Sequence, residues 1–364
     1  MTEGITTVTI PVLLLGCGGV GRELLHHIVT SRDLHSKRGL VLRVVGVCDS
    51  RSLLLVEDVA TMGFDDAFLT EILRIKSSSS SLSALVDFGH CHLFKDSEAT
   101  TKILDIAGLL GRTTGLSVVD CTASTETVGI LKETVDLCCC IVLANKKPLT
   151  CGIDDYDKLI SNFRRIRFES TVGAGLPVIV SVTRVLASGD PIYRIIGSLS
   201  GTLGYVMSEV EDGKSFSKVV LAAKSLGYTE PDPRDDLSGM DVARKVESLY
   251  SNEHGPNSMS TEDFLRIGLP SLDRDVQERV SAASSRGKVL RYVCVIEGSR
   301  CQVGLQELPK DSPLGRLRGS DNVVEIYSRC YKDSPLVIQG AGAGNDTTAA
   351  GVLADIIDLQ DLFH

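Results

Sequence analysis

A glycine-rich turn near the N-terminus constrains the fold of this chain more than any other feature. The apolar run Val8–Leu15 is typical of a buried β-strand, the sequence Gly-Cys-Gly-Gly-Val-Gly (Gly16–Gly21) follows it, and the amphipathic segment Arg22–Arg32 comes next. The first glycine permits a tight turn, the second lets the backbone approach a pyrophosphate, and the third lets helix and strand pack closely. The pattern therefore predicts a dinucleotide-binding α/β domain, and a glycine turn without a dinucleotide is the alternative. The residues predicted to contact the dinucleotide are Gly16, Gly18, Gly19, Val20 and Gly21.

Further apolar runs alternate with helical stretches over the first 150 residues. They are Leu40–Cys48, Leu116–Cys121 and Cys138–Leu143. Strands that are apolar on both faces and alternate with helices are typical of a parallel sheet covered on both sides. We therefore expect an α/β domain of this type at the N-terminal end.

The chain changes character after about residue 150. A strand is predicted at Tyr193–Leu199, a helix at Phe216–Leu226, and neighbouring antiparallel strands at Lys288–Leu308 and Asn322–Cys330. A closing helix, Thr347–Leu359, follows a second glycine-rich turn. At 364 residues the chain exceeds the roughly 250–300 residues that a single core sustains, so we expect two domains.

Composition and charge narrow the classes of partner. A net charge of -9 argues against nucleic acid and against an anionic membrane surface. No apolar run reaches the ~18 residues of a membrane span, and the start of the chain resembles neither a signal nor a transit peptide. The eleven cysteines lie mostly inside apolar runs, as Cys48 and Cys138–Cys140 do, which is typical of reduced, buried cysteines. We expect a soluble, cytoplasmic protein that acts on a small molecule.

The choice of dinucleotide depends on the end of the second strand. Asp49 is placed to bind a ribose 2′-hydroxyl, and Arg51 to meet a 2′-phosphate. Asp49 lies further from Gly21 than the usual ~20 residues, because the segment Asp33–Arg38 lengthens the loop. Arg51 favours NADPH with NADH tolerated, and an ordinary surface charge is the alternative for either residue.

The segment from residue 227 to 245 contains the greatest density of charged groups. Its carboxylates are Glu230, Asp232, Asp235, Asp236 and Asp241. Two prolines stiffen the backbone around Asp232, and Asp241 and Lys245 share one face of a predicted helix. Clustered carboxylates suit a substrate ammonium group, and a lysine whose pKa is lowered by burial suits proton transfer. The alternative is a solvated acidic loop followed by a helix with a routine salt bridge.

Two further loops follow predicted strands. Lys146, in Ala-Asn-Lys-Lys-Pro, comes after the strand that ends at Leu143, where a side chain can face a bound cofactor. A surface lysine pair is the alternative. The predicted strand Ile166–Thr171 runs into the loop Glu169–Pro177, whose carboxylate and kinked backbone could hold a hard cation. The residues alone favour simple strand termination for this loop.

Taken in order, these motifs resemble those of homoserine dehydrogenases. The match also includes Ser-Gly-Thr-Leu-Gly-Tyr (Ser200–Tyr205) and Gln-Gly-Ala-Gly-Ala-Gly (Gln339–Gly344), spans nearly the whole chain, and is most specific over Glu230–Lys245. The chain is similar to the stand-alone eukaryotic form, without an aspartate kinase segment or an ACT-type domain. The resemblance implies an NAD(P)-dependent oxidoreductase that interconverts L-homoserine and L-aspartate 4-semialdehyde, on the way to threonine, methionine and isoleucine, and that forms a homodimer.

The resemblance also assigns roles to individual residues. Lys245 is the leading acid/base candidate, and Lys146 lies beside the nicotinamide and the substrate. The substrate-binding residues that it implies are Glu230, Asp236, Asp241, Thr202 and Tyr228. The further nucleotide contacts that it implies come from Arg51, Thr122, Lys146 and Gly344. The ligands that it implies for a monovalent cation, Na⁺, are the carboxylate of Glu169 and the carbonyls of Val172, Ala174 and Leu176.

The expected architecture is a Rossmann-type domain over residues 1–150, rejoined by 338–364, and a mixed α+β domain over 151–337 for substrate and dimerisation. One rival function is an aspartate-semialdehyde dehydrogenase, which needs a nucleophilic cysteine, and Cys121 is the only placed candidate. The other rival is a dinucleotide-binding sensor without catalysis. A sensor predicts that a charge has been lost from the site, whereas all the expected charged residues are present.

Overall fold

A computed structural model gives the structure of residues 7–78, 80–88, 91–226, 228–229, 265–266 and 269–363. By their internal packing the residues form two units, Met1–Gly175 with Gly344–His364, and Leu176–Ala343. Both junctions lie later in the chain than the predicted 150 and 338. The first unit therefore includes the loop that begins at Glu169.

The first unit is built on a seven-stranded sheet. Its strands are β1 (Val8–Leu15), β2 (Leu40–Cys48), β3 (Ser52–Val56), β4 (Cys91–Lys95), β5 (Ser117–Asp120), β6 (Cys140–Leu143) and β7 (Ile166–Arg167), in the order β4-β3-β2-β1-β5-β6-β7. Its helices before residue 176 are α1 (Gly19–Thr30), α2 (Arg32–Lys37), α3 (Asp66–Ser77), α4 (Asp96–Gly111), α5 (Thr127–Asp136) and α6 (Ile153–Ile160). The predicted bounds of β1 and β2 are confirmed.

The central strands of this sheet run parallel, as predicted. β1 lies between β2 and β5, so the strand order reverses at β1. Loops that follow the carboxyl ends of strands at such a reversal form the ligand crevice of open α/β sheets. Six consecutive β1 residues, Ile10–Leu15, are buried, as expected for a strand covered on both faces.

One edge of this sheet consists of two strands that were not predicted, and these two are antiparallel. β3 pairs antiparallel with β2, and β4 pairs antiparallel with β3. Only Asp49–Arg51 connect β2 to β3, and three residues are too few for the crossover that parallel pairing needs. β7 is also shorter than the predicted strand Ile166–Thr171, because a 3₁₀ turn at Glu169–Thr171 ends the extended backbone.

The second unit contains a five-stranded antiparallel sheet. Its strands are β8 (Ile192–Ser198), β9 (Lys288–Glu297), β10 (Arg300–Pro309), β11 (Asp321–Ser328) and β12 (Leu336–Ala341), in the order β10-β9-β8-β11-β12. Its helices among the described residues are α7 (Val178–Ala187), α8 (Gly201–Glu211), α9 (Phe216–Ser225) and α10 (Asp273–Ser284), with a further short turn at Leu269–Ser271. Met207 of α8 and Ala283 of α10 pack with Leu290 of β9, so these helices cover one face.

The predicted strand Lys288–Leu308 is a hairpin, which turns at Gly298 with a φ of +59°. The expectation that this region neighbours Asn322–Cys330 was wrong, because β8 lies between β9 and β11. Leu314 and Leu317, in the connection before β11, pack against Ile196 of β8. The connection therefore crosses over β8 and delivers β11 to its far side.

A closing helix, α11 (Asn345–Ile357), returns to the first unit, as predicted, and packs there against α1. The Ser170 hydroxyl donates a hydrogen bond to the carbonyl oxygen of Thr348 at 3.0 Å. Within the described part of the chain, no helix combines the length and the apolar character needed to cross a lipid bilayer.

Candidate functional site

The glycine turn after β1 has the geometry that a pyrophosphate needs. Gly16 has a φ of +92°, and a Cβ on Gly21 would lie 2.0 Å from the carbonyl oxygen of Gly16, so both positions require glycine. A Cβ on Gly18 would meet no atom within 4 Å, which leaves open space over the turn. Gly18 is also the N-cap of α1, whose first turn has neither a capping side chain nor an acidic residue. The N-terminus of α1 is therefore suited to an anion.

The second glycine-rich turn begins α11 beside the first. Gly344, one of the predicted nucleotide contacts, is the N-cap of α11 and has a φ of +127°. The side chain of Asn345 packs on Gly19, where a Cβ would lie 2.5 Å from Asn345 Nδ2. The structure thus brings Gly344 and the Gly16–Gly21 turn to one corner of the first unit, although more than 300 residues separate them.

Asp49, at the end of β2, is fully engaged by the protein. Its Oδ1 accepts hydrogen bonds from the backbone N–H groups of Arg51 and Ser52, and its Oδ2 accepts one from Lys76 Nζ at 2.8 Å. Burial opposes the charged form, but these hydrogen bonds outweigh it and hold the pKa of the Asp49 carboxyl below its ordinary value. Asp49 is therefore already neutralised by Lys76, whereas Arg51 is exposed.

A buried polar network joins the carboxyl ends of β5 and β6. Asp120 has no exposed surface, and its carboxylate accepts hydrogen bonds from the Thr122 N–H at 2.8 Å, Thr127 Oγ at 2.7 Å and Asn145 Nδ2 at 3.0 Å. Asn145 Oδ1 in turn accepts the N–H of Lys147 at 3.1 Å.

This network positions two of the predicted cofactor residues, Thr122 and Lys146, at the carboxyl edge of the sheet. Sequence reasoning missed Asp120 and Asn145. The signals were an aspartate at the end of an apolar strand and an asparagine directly before a lysine pair.

Replacing Asp120 by alanine is expected to destabilise the first unit by about 2–4 kcal/mol. One or two buried donors would lose their acceptor, at about 1–3 kcal/mol each. Chemical denaturation of the full chain measures the change. The matched control is Asp33→Ala, which removes an exposed carboxylate on α2 and should stay within about 0.5 kcal/mol of wild type. Equal stability of the two variants would contradict a structural role for Asp120.

The loop after β7 combines a carboxylate with an unusual backbone. Gly173 and Ala174 both adopt left-handed conformations, with φ of +73° and +57°, which is uncommon for alanine. Val172 and Ala174 are buried. Beside the loop, Asp355 Oδ2 accepts the N–H of Glu169 at 3.0 Å. Burial, and then the charge of Glu169, raise the pKa of Asp355 to about 8.

A carboxylate followed by a kinked run of backbone carbonyls is a donor set that suits a hard cation. The residues predicted to hold one are Glu169, Val172, Ala174 and Leu176. The first three belong to the first unit, and Leu176 is the first residue of the second.

In the second unit, the structure brings together two of the predicted substrate residues. Thr202, near the start of α8, donates a hydrogen bond from its hydroxyl to the carbonyl oxygen of Tyr228. Tyr228 also meets Tyr205 edge-on, with ring centroids 5.2 Å apart. The helix is capped by Ser200, whose Oγ accepts the N–H of Leu203 at 3.1 Å. The other predicted residues, Glu230, Asp236, Asp241 and Lys245, lie outside the described residues.

The environment of Cys121 does not suit a nucleophile. Desolvation, followed by the charge of Asp120, raises the pKa of the Cys121 thiol well above its ordinary value. Burial similarly raises the pKa of Cys17 and of Cys48 to about 12. Because the thiolate is the reactive form, these thiols are poor nucleophiles. This argues against a thioester-forming dehydrogenase.

Comparison with known proteins points to one family. A family model described as homoserine dehydrogenase matches residues 177–357. Over 255 residues the chain is 39% identical to a homoserine dehydrogenase of Paracoccidioides brasiliensis. This alignment covers 62% of this chain and 68% of that protein. Over 381 residues it is 34% identical to the chloroplastic bifunctional aspartokinase/homoserine dehydrogenase 1 of Zea mays. This alignment covers 98% of this chain and 39% of that protein. The chain spans about two fifths of the length of the bifunctional relatives that it matches.

The fold is shared with solved structures. A hyperthermophilic archaeal homoserine dehydrogenase in complex with NADPH superposes with a TM-score of 0.72 at 24% identity, covering 98% of this chain and 99% of that one. This similarity and the two sheets confirm the predicted fold class, a Rossmann-type α/β domain with a second, mixed α+β domain. On the family model and the Paracoccidioides relative together, the chain belongs to the homoserine dehydrogenase family.

Proposed function

We propose that this protein is an NAD(P)-dependent homoserine dehydrogenase, which interconverts L-homoserine and L-aspartate 4-semialdehyde. The observation that carries the proposal is the Gly16–Gly21 turn. At this turn the N-terminus of α1 has no capping side chain and faces open space. The chain also belongs to the homoserine dehydrogenase family. Such a turn is suited to the pyrophosphate of a dinucleotide.

The bound reduced nicotinamide supplies the hydride that reaches the aldehyde carbon. The residues of the chain orient the substrate and move the proton. Lys245 or Lys146 polarises the carbonyl oxygen and delivers a proton to it, directly or through water, so that aldehyde, hydride and proton give the alcohol. The residues that hold the amino-acid substrate in this proposal are Glu230, Asp236, Asp241, Thr202 and Tyr228. The cofactor contacts come from the glycine turn with Arg51, Thr122, Lys146 and Gly344.

The preferred cofactor in this proposal is NADPH, with NADH tolerated. Asp49, which would otherwise accept a ribose 2′-hydroxyl, has both carboxylate oxygens occupied, and Lys76 adds a positive charge beside it. Arg51 stands exposed at the same turn. A 2′-phosphate is therefore favoured over a 2′-hydroxyl here, in line with the NADPH bound by the archaeal relative.

We expect Arg51→Ala to raise the KM for NADP roughly 10- to 100-fold and to change the KM for NAD little. A charge-assisted hydrogen bond to the phosphate contributes about 1.5–3 kcal/mol. Initial-rate kinetics with each cofactor measure the two constants. The control is Arg38→Ala, which removes an exposed arginine that follows α2. Equal effects of Arg51→Ala on NADP and NAD would show that Arg51 does not contact the phosphate.

We further propose that the loop after β7 binds a monovalent cation, Na⁺, through the Glu169 carboxylate and the carbonyls of Val172, Ala174 and Leu176. The left-handed conformations of Gly173 and Ala174 support this, because they kink the backbone as a carbonyl ligand set requires.

We also propose that the protein is located in the cytoplasm. All eleven cysteines carry free thiols, as expected of a reducing compartment.

The second unit is proposed to bind substrate and to form a homodimer. On α7, Val180 and Leu186 expose about half of their surface. A second copy packed on α7 would cover these apolar side chains, and light scattering on the full chain would show a mass twice that of the 39.1 kDa chain.

The decisive experiment follows the absorbance of reduced nicotinamide with L-homoserine and each oxidised cofactor in turn. Turnover without phosphate, unaffected by thiol alkylation, supports homoserine oxidation. Turnover of the aldehyde that requires phosphate and is abolished by alkylation indicates an aspartate-semialdehyde dehydrogenase. Dinucleotide binding without turnover of either substrate indicates a sensor and overturns the proposal.

A further inference from the structure

Three side chains of types that can ligate a metal ion meet where α1 and α11 pack together. Glu23 and His27 are four residues apart on α1 and share one face, and Asp346 lies in the first turn of α11. His27 Nε2 and Asp346 Oδ1 are 2.6 Å apart. One ligand atom from each of the three side chains lies within 4.8 Å of the other two. Glu23 and His27 are half-buried and Asp346 is exposed, so the cluster opens to solvent on one side.

The charges of this cluster favour a cation. The two carboxylates repel each other at this separation, and the hydrogen bond from His27 compensates only Asp346. Among the residues that the structure describes, Glu23 forms neither a hydrogen bond nor an ion pair. A divalent ion placed between the three side chains would balance both carboxylates and would use the imidazole nitrogen as its third ligand.

We propose that Glu23, His27 and Asp346 bind one divalent transition-metal ion of the zinc class, with water completing the coordination. One imidazole nitrogen and two carboxylate oxygens form a ligand set that zinc accepts, at about 2.0–2.2 Å from each atom. Magnesium and calcium prefer oxygen ligands alone, so they fit the histidine poorly. On binding, the ion takes the place of the proton between His27 Nε2 and Asp346 Oδ1, and that proton passes to the solvent. Small rotations of the three side chains would bring their ligand atoms to coordination distance.

Because of the position of the cluster, we expect a bound ion to affect the glycine turn as well. Asp346 follows Asn345, whose side chain packs on Gly19 of the glycine turn. An ion that holds Asp346 against α1 therefore also holds Asn345 against the turn, and we expect it to tighten dinucleotide binding. This consequence depends on the proposed function, whereas the metal site itself does not.

Cobalt and zinc titrations of the chelator-treated full chain test the site. Co²⁺ is used because its absorption spectrum distinguishes thiolate ligands from nitrogen and oxygen ligands, and the chain has eleven cysteines. We expect one Co²⁺ per chain with d–d bands and no thiolate-to-cobalt charge-transfer band, and displacement of Co²⁺ by Zn²⁺. Binding confined to thiolates, or no binding, would overturn the proposal.

Variants identify the ligands. His27→Ala and the conservative Glu23→Gln should weaken binding by more than the roughly 10- to 100-fold that loss of an outer-shell partner causes. His26→Ala, at the exposed neighbouring position on α1, should bind as wild type does. Circular dichroism checks that each variant is folded. Equal affinity of His26→Ala and His27→Ala would also overturn the proposal. Metal binding without any change in dinucleotide affinity would remove only the coupling to the glycine turn.

Discussion

One of the two variants Lys146→Ala and Lys245→Ala is expected to lower kcat by about 10²–10⁴-fold, namely the one that removes the lysine that transfers the proton. This is the usual contribution of a positioned acid/base group. Lys146 is half-buried and directly follows Asn145, which the buried Asp120 carboxylate holds at the carboxyl edge of the sheet. Lys245 lies one predicted helical turn after Asp241, and both residues are outside the described part of the chain.

The pH dependence of kcat distinguishes the two lysines. The variant that lacks the proton-transfer group should lose one ionisation from the profile. The variant that lacks only a binding contact should keep the profile and raise KM. Lys147→Ala is the matched control, since Lys147 is the exposed neighbour of Lys146 and should retain near wild-type kcat. Near wild-type kcat in both Lys146→Ala and Lys245→Ala would remove both lysines from the chemical step.

Gly21→Ala is expected to disrupt both stability and dinucleotide binding. The new Cβ would lie 2.0 Å from the carbonyl oxygen of Gly16 and 3.0 Å from its carbon, and both are backbone atoms that cannot turn aside. Overpacking of this kind costs about 1–3 kcal/mol or more. α1 must then move away from β1, so we expect a lower melting temperature and a Kd for NADP raised about 10- to 100-fold.

Two other glycines separate the possible causes. At Gly18 a Cβ meets no atom within 4 Å, so Gly18→Ala should have the melting temperature of the wild type. Its affinity for NADP should nevertheless be lower, because the methyl group enters the space of the pyrophosphate. Gly129, exposed on α5, also has room for a Cβ. Gly129→Ala should gain about 0.5–1 kcal/mol of stability and leave binding unchanged. Wild-type NADP affinity in Gly18→Ala would argue against a pyrophosphate at this turn.

Local patterns predicted the elements that depend on local physics. The bounds of Val8–Leu15 and Leu40–Cys48 agree with β1 and β2, because an uninterrupted apolar run is buried wherever the sheet forms. The glycine turn was likewise predictable, because the geometry of one short strand-turn-helix connection requires glycine at Gly16 and Gly21. The closing helix was found from its own periodicity and the glycines before it.

Strand pairing could not be predicted in the same way. β3 and β4 are short strands. They pair antiparallel because only three residues connect β2 to β3, and whether such a connection is a hairpin depends on the sheet around it. The position of β11 beside β8, and not beside β9, is set by Leu314 and Leu317 packing over Ile196. Such contacts join residues that are distant in sequence, so no local pattern carries them.

The sequence by itself determined the class of fold, the glycine turn after the first strand and the residue types that the proposed chemistry needs. The tertiary structure alone decided which of them meet. Asp120 contacts Asn145, Asp49 pairs with Lys76, and His27 reaches Asp346, across separations of 25, 27 and 319 residues. Each of these contacts exists because the order of strands and helices brings distant segments to one edge or one corner of the first unit. That order is set by the packing of the whole core, and for this reason a motif read alone cannot reveal it.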